Sequence, residues 1–204
     1  VVNWAKVVDP ETGRPIENPD ARYEATGGKT FAMRPSFLGA HNWHPMAFSP
    51  KTGLVSIPPQ DIPFTSADQP DFTFKPGDFN VGASTREGGA DAESSRLRGA
   101  MVAWDPLDQK EAWRLEQSYP GNGGILATGG NLLFQGSPEG TFNAYDARDG
   151  SKLWSADAQS GVVAAASTYL IDGEQYVAVL AGLGGANALF AGVLPRPERL
   201  PNGR

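Results

Sequence analysis

The chain has 204 residues, among them 25 Gly and 17 Pro, with 40% hydrophobic residues and a formal net charge of -6. This acidic balance, with no basic stripe, excludes a nucleic-acid surface, because phosphate binding draws on clustered Lys and Arg. No apolar run is long enough to span a membrane as a helix, and a chain without cysteine has neither disulfides nor thiolate metal sites.

Abundant Gly and Pro between short apolar runs predict an all-β chain of short strands and tight turns. It starts Val1-Val2-Asn3-Trp4, with no initiator Met, charged n-region or apolar h-region, and reads as an internal piece of a larger protein. Residues 1–40 read as a polar connector with at most short strands. Asp9-Pro10-Glu11-Thr12-Gly13 and Glu17-Asn18-Pro19-Asp20 mark its turns.

Residues 41–120 read as a sheet interrupted by an insertion. Its inner strands are Met46 to Phe48 and Leu54 to Ile57, and its outer strands are 99–104 and 111–116. Between them, 58–98 is rich in Pro, Asp, Gly and Ser and is expected to be irregular. Phe64, Phe72, Phe74 and Phe79 predict that this insertion packs on something.

Residues 121–160 contain one complete four-stranded unit. Apolar runs within Gly124 to Gly136 are followed by Thr141 to Asp146, a turn at Arg148-Asp149-Gly150, and Lys152-Leu153-Trp154. Setting Asp105 on Asp146 also sets Trp113 on Trp154, since each pair is 41 residues apart. A repeat of that length closing on Trp is the pattern of a β-propeller blade; the competing reading is two unrelated hairpins that share an Asp turn and a Trp. Residues 161–185 then supply half a blade. Its strands, 161–166 and 175–181, are joined through Leu170-Ile171-Asp172-Gly173 and are apolar enough to be buried on both faces. An irregular tail, 186–204, follows. The prediction is a β-propeller fragment of about two and a half four-stranded antiparallel blades from a larger ring, poorly stable alone because its sheet faces await neighbours.

For chemistry, Asn42 and Trp43 stand out just before an inner strand. An Asn amide both donates and accepts hydrogen bonds, and an indole donates one while its ring limits water access. The plainer reading is that Asn42 caps a turn and Trp43 fills a gap between blades. His41 and His44 have the spacing of metal ligands, but no third ligand clusters with them. Trp104, Trp113 and Trp154 read as packing residues between blades.

His41-Asn42-Trp43-His44-Pro45-Met46-Ala47-Phe48-Ser49-Pro50, the unit Gly124 to Trp154, and the segments Ser160 to Val163, Thr168-Tyr169 and Asp172 to Val179 carry a family resemblance. Together they resemble the C-terminal part of the propeller of alcohol dehydrogenases dependent on pyrroloquinoline quinone (PQQ), of quinoprotein or quinohaemoprotein type. Phe74 to Gly82 looks most like the soluble quinohaemoprotein branch. The resemblance implies an eight-bladed periplasmic enzyme that oxidises alcohols, as small-molecule substrates, with PQQ and Ca²⁺ at the axis and passes electrons to cytochrome c or a similar acceptor. It implies that Asn42 and Trp43 contact PQQ at the mouth of the channel. In that family the catalytic Asp, the Ca²⁺ ligands, the aromatic beneath PQQ and a vicinal disulfide come from earlier blades, so no catalytic or metal residue is assigned here. Any haem c domain would lie beyond Arg204, and Leu183 stands where a Trp is common. From another class, a non-catalytic propeller scaffold of the cell envelope competes, and it has no reason to keep the Asn42-Trp43 pair.

Overall fold

The computed structural model describes residues 2–22, 24, 27, 29–78, 80–87 and 97–182. The first strands are β1 (Ala5–Val8), β2 (Pro15–Glu17), β3 (Phe31–Met33), β4 (Ala47–Ser49), β5 (Leu54–Ile57), β6 (Gln60–Asp61), β7 (Phe64–Asp68) and β8 (Ala83–Glu87). They are followed by β9 (Arg98–Asp105), β10 (Lys110–Gln117), β11 (Leu126–Ala127), β12 (Leu132–Gly136), β13 (Thr141–Asp146), β14 (Lys152–Asp157), β15 (Ser167–Ile171) and β16 (Glu174–Ala178). Pro19–Ala21 forms a 3-10 turn, and no α-helix occurs among the described residues. The all-β expectation therefore holds. The chain divides into two compact units, Val1–Ala40 with Gln60–Leu97, and His41–Pro59 with Arg98–Arg204.

In the first unit, β1 and β2 form a hairpin around Asp9, whose carboxylate accepts the Glu11 N–H at 2.8 Å. Asn3 ties the start of the chain to β3, donating from its amide to Ala32 O and accepting the Arg34 N–H. The insertion is not irregular, as its composition suggested. It supplies β7 and β8, which join β3 in a three-stranded antiparallel sheet of order β3-β7-β8. Phe31 pairs with Ser66, a partner 35 residues away, and local periodicity carries no trace of such distant pairing. Phe64 packs edge-on against Phe37 at 4.8 Å, whereas Phe72 and Phe74 are exposed and Phe79 lies outside the described residues.

In the second unit, two sheets repeat one design. Strands run in the order β10-β9-β5-β4 in the first and β11-β12-β13-β14 in the second. Their outer pairs match residue for residue. Glu111 faces Trp104 and Trp113 faces Ala103, while Lys152 faces Tyr145 and Trp154 faces Ala144, so both pairs carry a bulge at the same place. Asp105 accepts the Leu107 N–H and Asp146 the Arg148 N–H, each at 2.9 Å. Gln109 and Gly150 then hold equivalent left-handed positions, with φ of 52° and 75°. Tyr145 stands 41 residues after Trp104, yet Leu133, which faces Tyr145, stands 78 after Val55, which faces Trp104. The difference of 37 residues is the insertion, placed between the second and third strands without disturbing the ladder.

Between these sheets lies an apolar core of Met101, Ile125, Leu133, Tyr145 and Ala147, with Ala47, Trp113, Leu115 and Ala127 packed against it. Trp113 crosses from the first sheet to the Asp-turn of the second, where its Nε1–H donates to Ala147 O at 3.3 Å. Trp154 holds the equivalent strand position but is half exposed and touches Phe142 of its own sheet edge-on. The spacing identifies the two indoles as counterparts; the expectation that both pack between sheets holds for Trp113 alone.

The third repeat differs from the sequence reading in its boundaries. Val162 and Val163 are buried, but 161–166 is no strand; Val162 makes only an isolated parallel bridge to Gly182. The hairpin is β15-β16 instead, turning through Asp172 and Gly173 at φ of 50° and 83°, the left-handed pair of a two-residue loop. Both of its strands are largely exposed rather than buried on two faces. Apolar content marks a segment's capacity for burial, not its pairing, so the run 161–166 reads as a strand without being one. Residues 183–185 and the tail 186–204 lie outside the described residues.

The Asp146 turn has a consequence for acid stability. Arg148, through its guanidinium and then its backbone N–H, lowers the Asp146 carboxyl from 3.8 to about 2. A carboxylate held below its unfolded value stabilises the fold above about pH 4 and loses that contribution as pH falls toward about 2. Asp146→Asn in the full-length protein is expected to make the fall of the thermal midpoint between pH 4 and 2 shallower. An unchanged slope would show that the pair does not couple to folding.

Candidate functional site

The segment 41–45 is a loop that feeds β4, the inner edge of the first sheet. The His41 Nε2–H donates to His44 O at 2.8 Å, which closes the loop on itself. Pro45 then fastens it to the next sheet. Pro45 O accepts the Ile125 N–H at 2.9 Å, and a Cβ on Gly124 would lie 2.4 Å from Pro45 Cδ, so only glycine lets the proline ring sit there.

The next inner contact is equally close. Gly123 N–H bonds Gly136 O at 2.9 Å, Val162 N–H bonds Ser137 O at 2.8 Å, and Val162 fills the space a Cβ on Gly136 would need. Glycines thus bring the loop 41–45, the entry to β11 and the segment around Val162 together at the inner edges of the sheets.

Asn42 and Trp43 sit at the crest of the loop. Asn42 is exposed, and Trp43 is 60% exposed with its ring stacked on His44, centroids 4.0 Å apart and planes 27° from parallel. His44 itself is buried at 8% exposure. Burial, and next the charge on neighbouring His41, push its pKa down, which favours a neutral ring. The two histidines are thus engaged in bracing the loop, and among the described residues no group of three metal-ligating side chains occurs. Trp104, Trp113 and Trp154 lie on the outer strands.

Polar groups also line the wedge between the two sheets, where a cavity of about 160 Å³ is bordered by Gln117, Asn122, Ser137 and Asn143. Gln117 donates to Gln135 at 2.6 Å, and Gln135, 1% exposed, donates on to Gly123 O. This chain of amides ties the outer strand β10 to the glycine layer. Sequence reasoning missed both it and the role of His44. A polar residue at an inward position of β12 was the available signal for Gln135; for His44 the aromatic neighbour Trp43 and the three-residue spacing from His41 were in view, but its burial was not.

The glucose/ethanol/alcohol dehydrogenase β-propeller domain family (PQQ) matches residues 95–177. The dehydrogenase subunit of alcohol dehydrogenase (quinone) from Gluconacetobacter polyoxogenes is 50% identical over 203 residues, which cover 96% of this chain and 27% of that protein. A 1-butanol dehydrogenase (cytochrome c) from Thauera butanivorans is 41% identical over 195 residues, covering 93% of this chain and 28% of its own length. The crystal structure of quinohemoprotein alcohol dehydrogenase from Comamonas testosteroni superposes with a TM-score of 0.78 at 42% identity, over 89% of this chain and 28% of that one. The chain therefore spans little more than a quarter of the length of the relatives it matches.

Proposed function

We infer, for a chain that belongs to the β-propellers of PQQ-dependent alcohol dehydrogenases, that its parent oxidises alcohols to aldehydes or ketones, with Asn42 and Trp43 turned toward the cofactor. The observation that carries this reading is an exposed amide and an exposed indole held on a loop that is seated on the neighbouring inner strand. They fit a planar, oxygen-rich, anionic group. The Asn42 amide can donate to and accept from its oxygens, the Trp43 indole N–H can donate, and neither brings a charge that would compete with a cation. A non-catalytic scaffold would have no use for such a pair in such a seat.

When bound, PQQ supplies the redox chemistry by taking two electrons from the alcohol carbon. This chain's part is to orient the cofactor and to cover its rim with an aromatic ring. A Ca²⁺ ion takes oxygen ligands, and its ligands, like the Asp base, are assigned to the rest of the parent. A cytochrome c is the proposed electron acceptor, a haem c domain of the parent a further one, and the periplasm the proposed compartment.

The test is reconstitution of the full-length cofactor-free protein with PQQ and Ca²⁺. Loss of one hydrogen bond to a charged group is worth about 1.5–3 kcal/mol. Asn42→Ala should therefore bind PQQ roughly tenfold to hundredfold more weakly. Equal binding by wild type and Asn42→Ala, both folded, would return Asn42 to a turn-capping role.

A further inference from the structure

Trp43 raises a physical question that the inferred function leaves open. A side chain with 60% of its surface exposed has little packing to fix its rotamer, yet a cofactor contact needs a fixed one. Among the described residues its ring stacks on the imidazole of His44, with centroids 4.0 Å apart. That imidazole is at 8% exposure, and its backbone is held from two sides. His41 Nε2–H bonds His44 O, and Pro45, the next residue, is locked against Gly124 and Ile125. The rigidity of the neighbouring sheet therefore reaches the indole through one ring.

We propose that His44 is a positioning residue for the cofactor: its buried ring is the platform that holds Trp43 in the orientation that receives PQQ. The proposal rests on the reading of Asn42 and Trp43 as cofactor-facing. It gives His44 a role distinct from metal ligation and from proton transfer. What matters is a flat ring of this size, anchored from below; its nitrogens are not required. Burial favours the neutral ring, and ring stacking requires no charge.

Two substitutions separate stacking from space filling, both made in the full-length protein. His44→Phe keeps a flat ring, and His44→Leu fills the buried volume without one. The first readout needs no cofactor. Protein labelled with 5-fluorotryptophan gives a ¹⁹F resonance for residue 43, identified by its loss in Trp43→Phe. It should shift or split in His44→Leu and stay a single line near its wild-type position in His44→Phe. The second readout is the PQQ dissociation constant at saturating Ca²⁺, expected to rise about tenfold in His44→Leu and less than about threefold in His44→Phe. Thermal midpoints of the two variants place both measurements on folded protein. An unmoved residue-43 resonance in His44→Leu overturns the platform, as does His44→Phe binding PQQ as weakly as His44→Leu. Trp43→Ala and Asn42→Ala serve as the controls for the underlying reading. If both bind PQQ like wild type, the cofactor-facing assignment fails, whatever the fluorine spectrum reports about stacking.

Discussion

Gly150→Ala in the full-length protein is expected to cost about 2–5 kcal/mol of stability, more than a surface turn would ordinarily be worth. Two independent effects add there. Gly150 has a φ of 75°, and an L-residue in the left-handed region pays about 1–2 kcal/mol. A Cβ would also lie 2.8 Å from Cε3 and Cζ3 of Trp113, and forcing extra volume into a packed contact costs about 1–3 kcal/mol. Gln109 separates the two terms, because it holds the equivalent left-handed position in the first sheet and is exposed. Gln109→Gly should therefore be neutral or slightly stabilising, by up to about 1 kcal/mol. The measurement is the thermal midpoint of each variant, together with Gly150→Ala in a Trp113→Leu background, where the steric term vanishes and the backbone term stays. If Gly150→Ala costs the same with and without the indole, Trp113 is not seated on that turn.

The Trp113 seat also shows what made part of this fold readable. Asp105 and Asp146 organise their turns through the carboxylate and the N–H groups that follow, which is chemistry contained within a few residues. A fixed distance from Asp to Trp then carries the outer pair of strands, down to a shared bulge that no spacing argument needs to mention. Long-range pairing left no such mark. Phe31 with Ser66 and Pro45 with Gly124 are brought together by folding, over 35 and 79 residues, so the sheet within the insertion and the seat of the Asn42-Trp43 loop were not legible. The candidate pair itself was visible as residue types ahead of an inner strand. The imidazole stacked on Trp43 was visible only as the fourth residue of a motif, and its spacing from His41 is that of metal ligands, a reading set aside because no third ligand clusters with them. The hydrogen bond from His41 to the His44 carbonyl shows why that spacing exists: three residues is the span of a closed turn.

Gly136→Ala is expected to be strongly destabilising, because its added methyl group would meet the backbone of a neighbouring segment. Its φ is not in the left-handed region, so the argument is one of space alone. A Cβ would lie 2.3 Å from both Cγ1 and the carbonyl oxygen of Val162 and 2.4 Å from Cβ of Val162, which is fully buried. A side-chain clash can be relieved by a new rotamer, but a clash with a carbonyl oxygen moves the backbone. The segment around Val162 would have to withdraw from β12, giving up the Val162 N–H bond to Ser137 O and part of the buried valine contact. Overpacking of about 1–3 kcal/mol, about 1 kcal/mol for the hydrogen bond and about 1 kcal/mol or more of lost apolar burial give a cost of roughly 3–5 kcal/mol. Gly129→Ala is the matched control, since its Cβ meets nothing within 4 Å and its φ lies outside the left-handed region; it should change stability by no more than about 0.5 kcal/mol. Pairing Gly136→Ala with Val162→Ala removes the Cγ1 contact and leaves the Cβ and carbonyl clashes, so recovery should be partial at best. Thermal midpoints of the full-length variants decide it. A Gly136→Ala protein that melts with Gly129→Ala would mean that the inner edges of these sheets yield to a methyl group, and the close approach at Val162 would then not be what fixes their spacing.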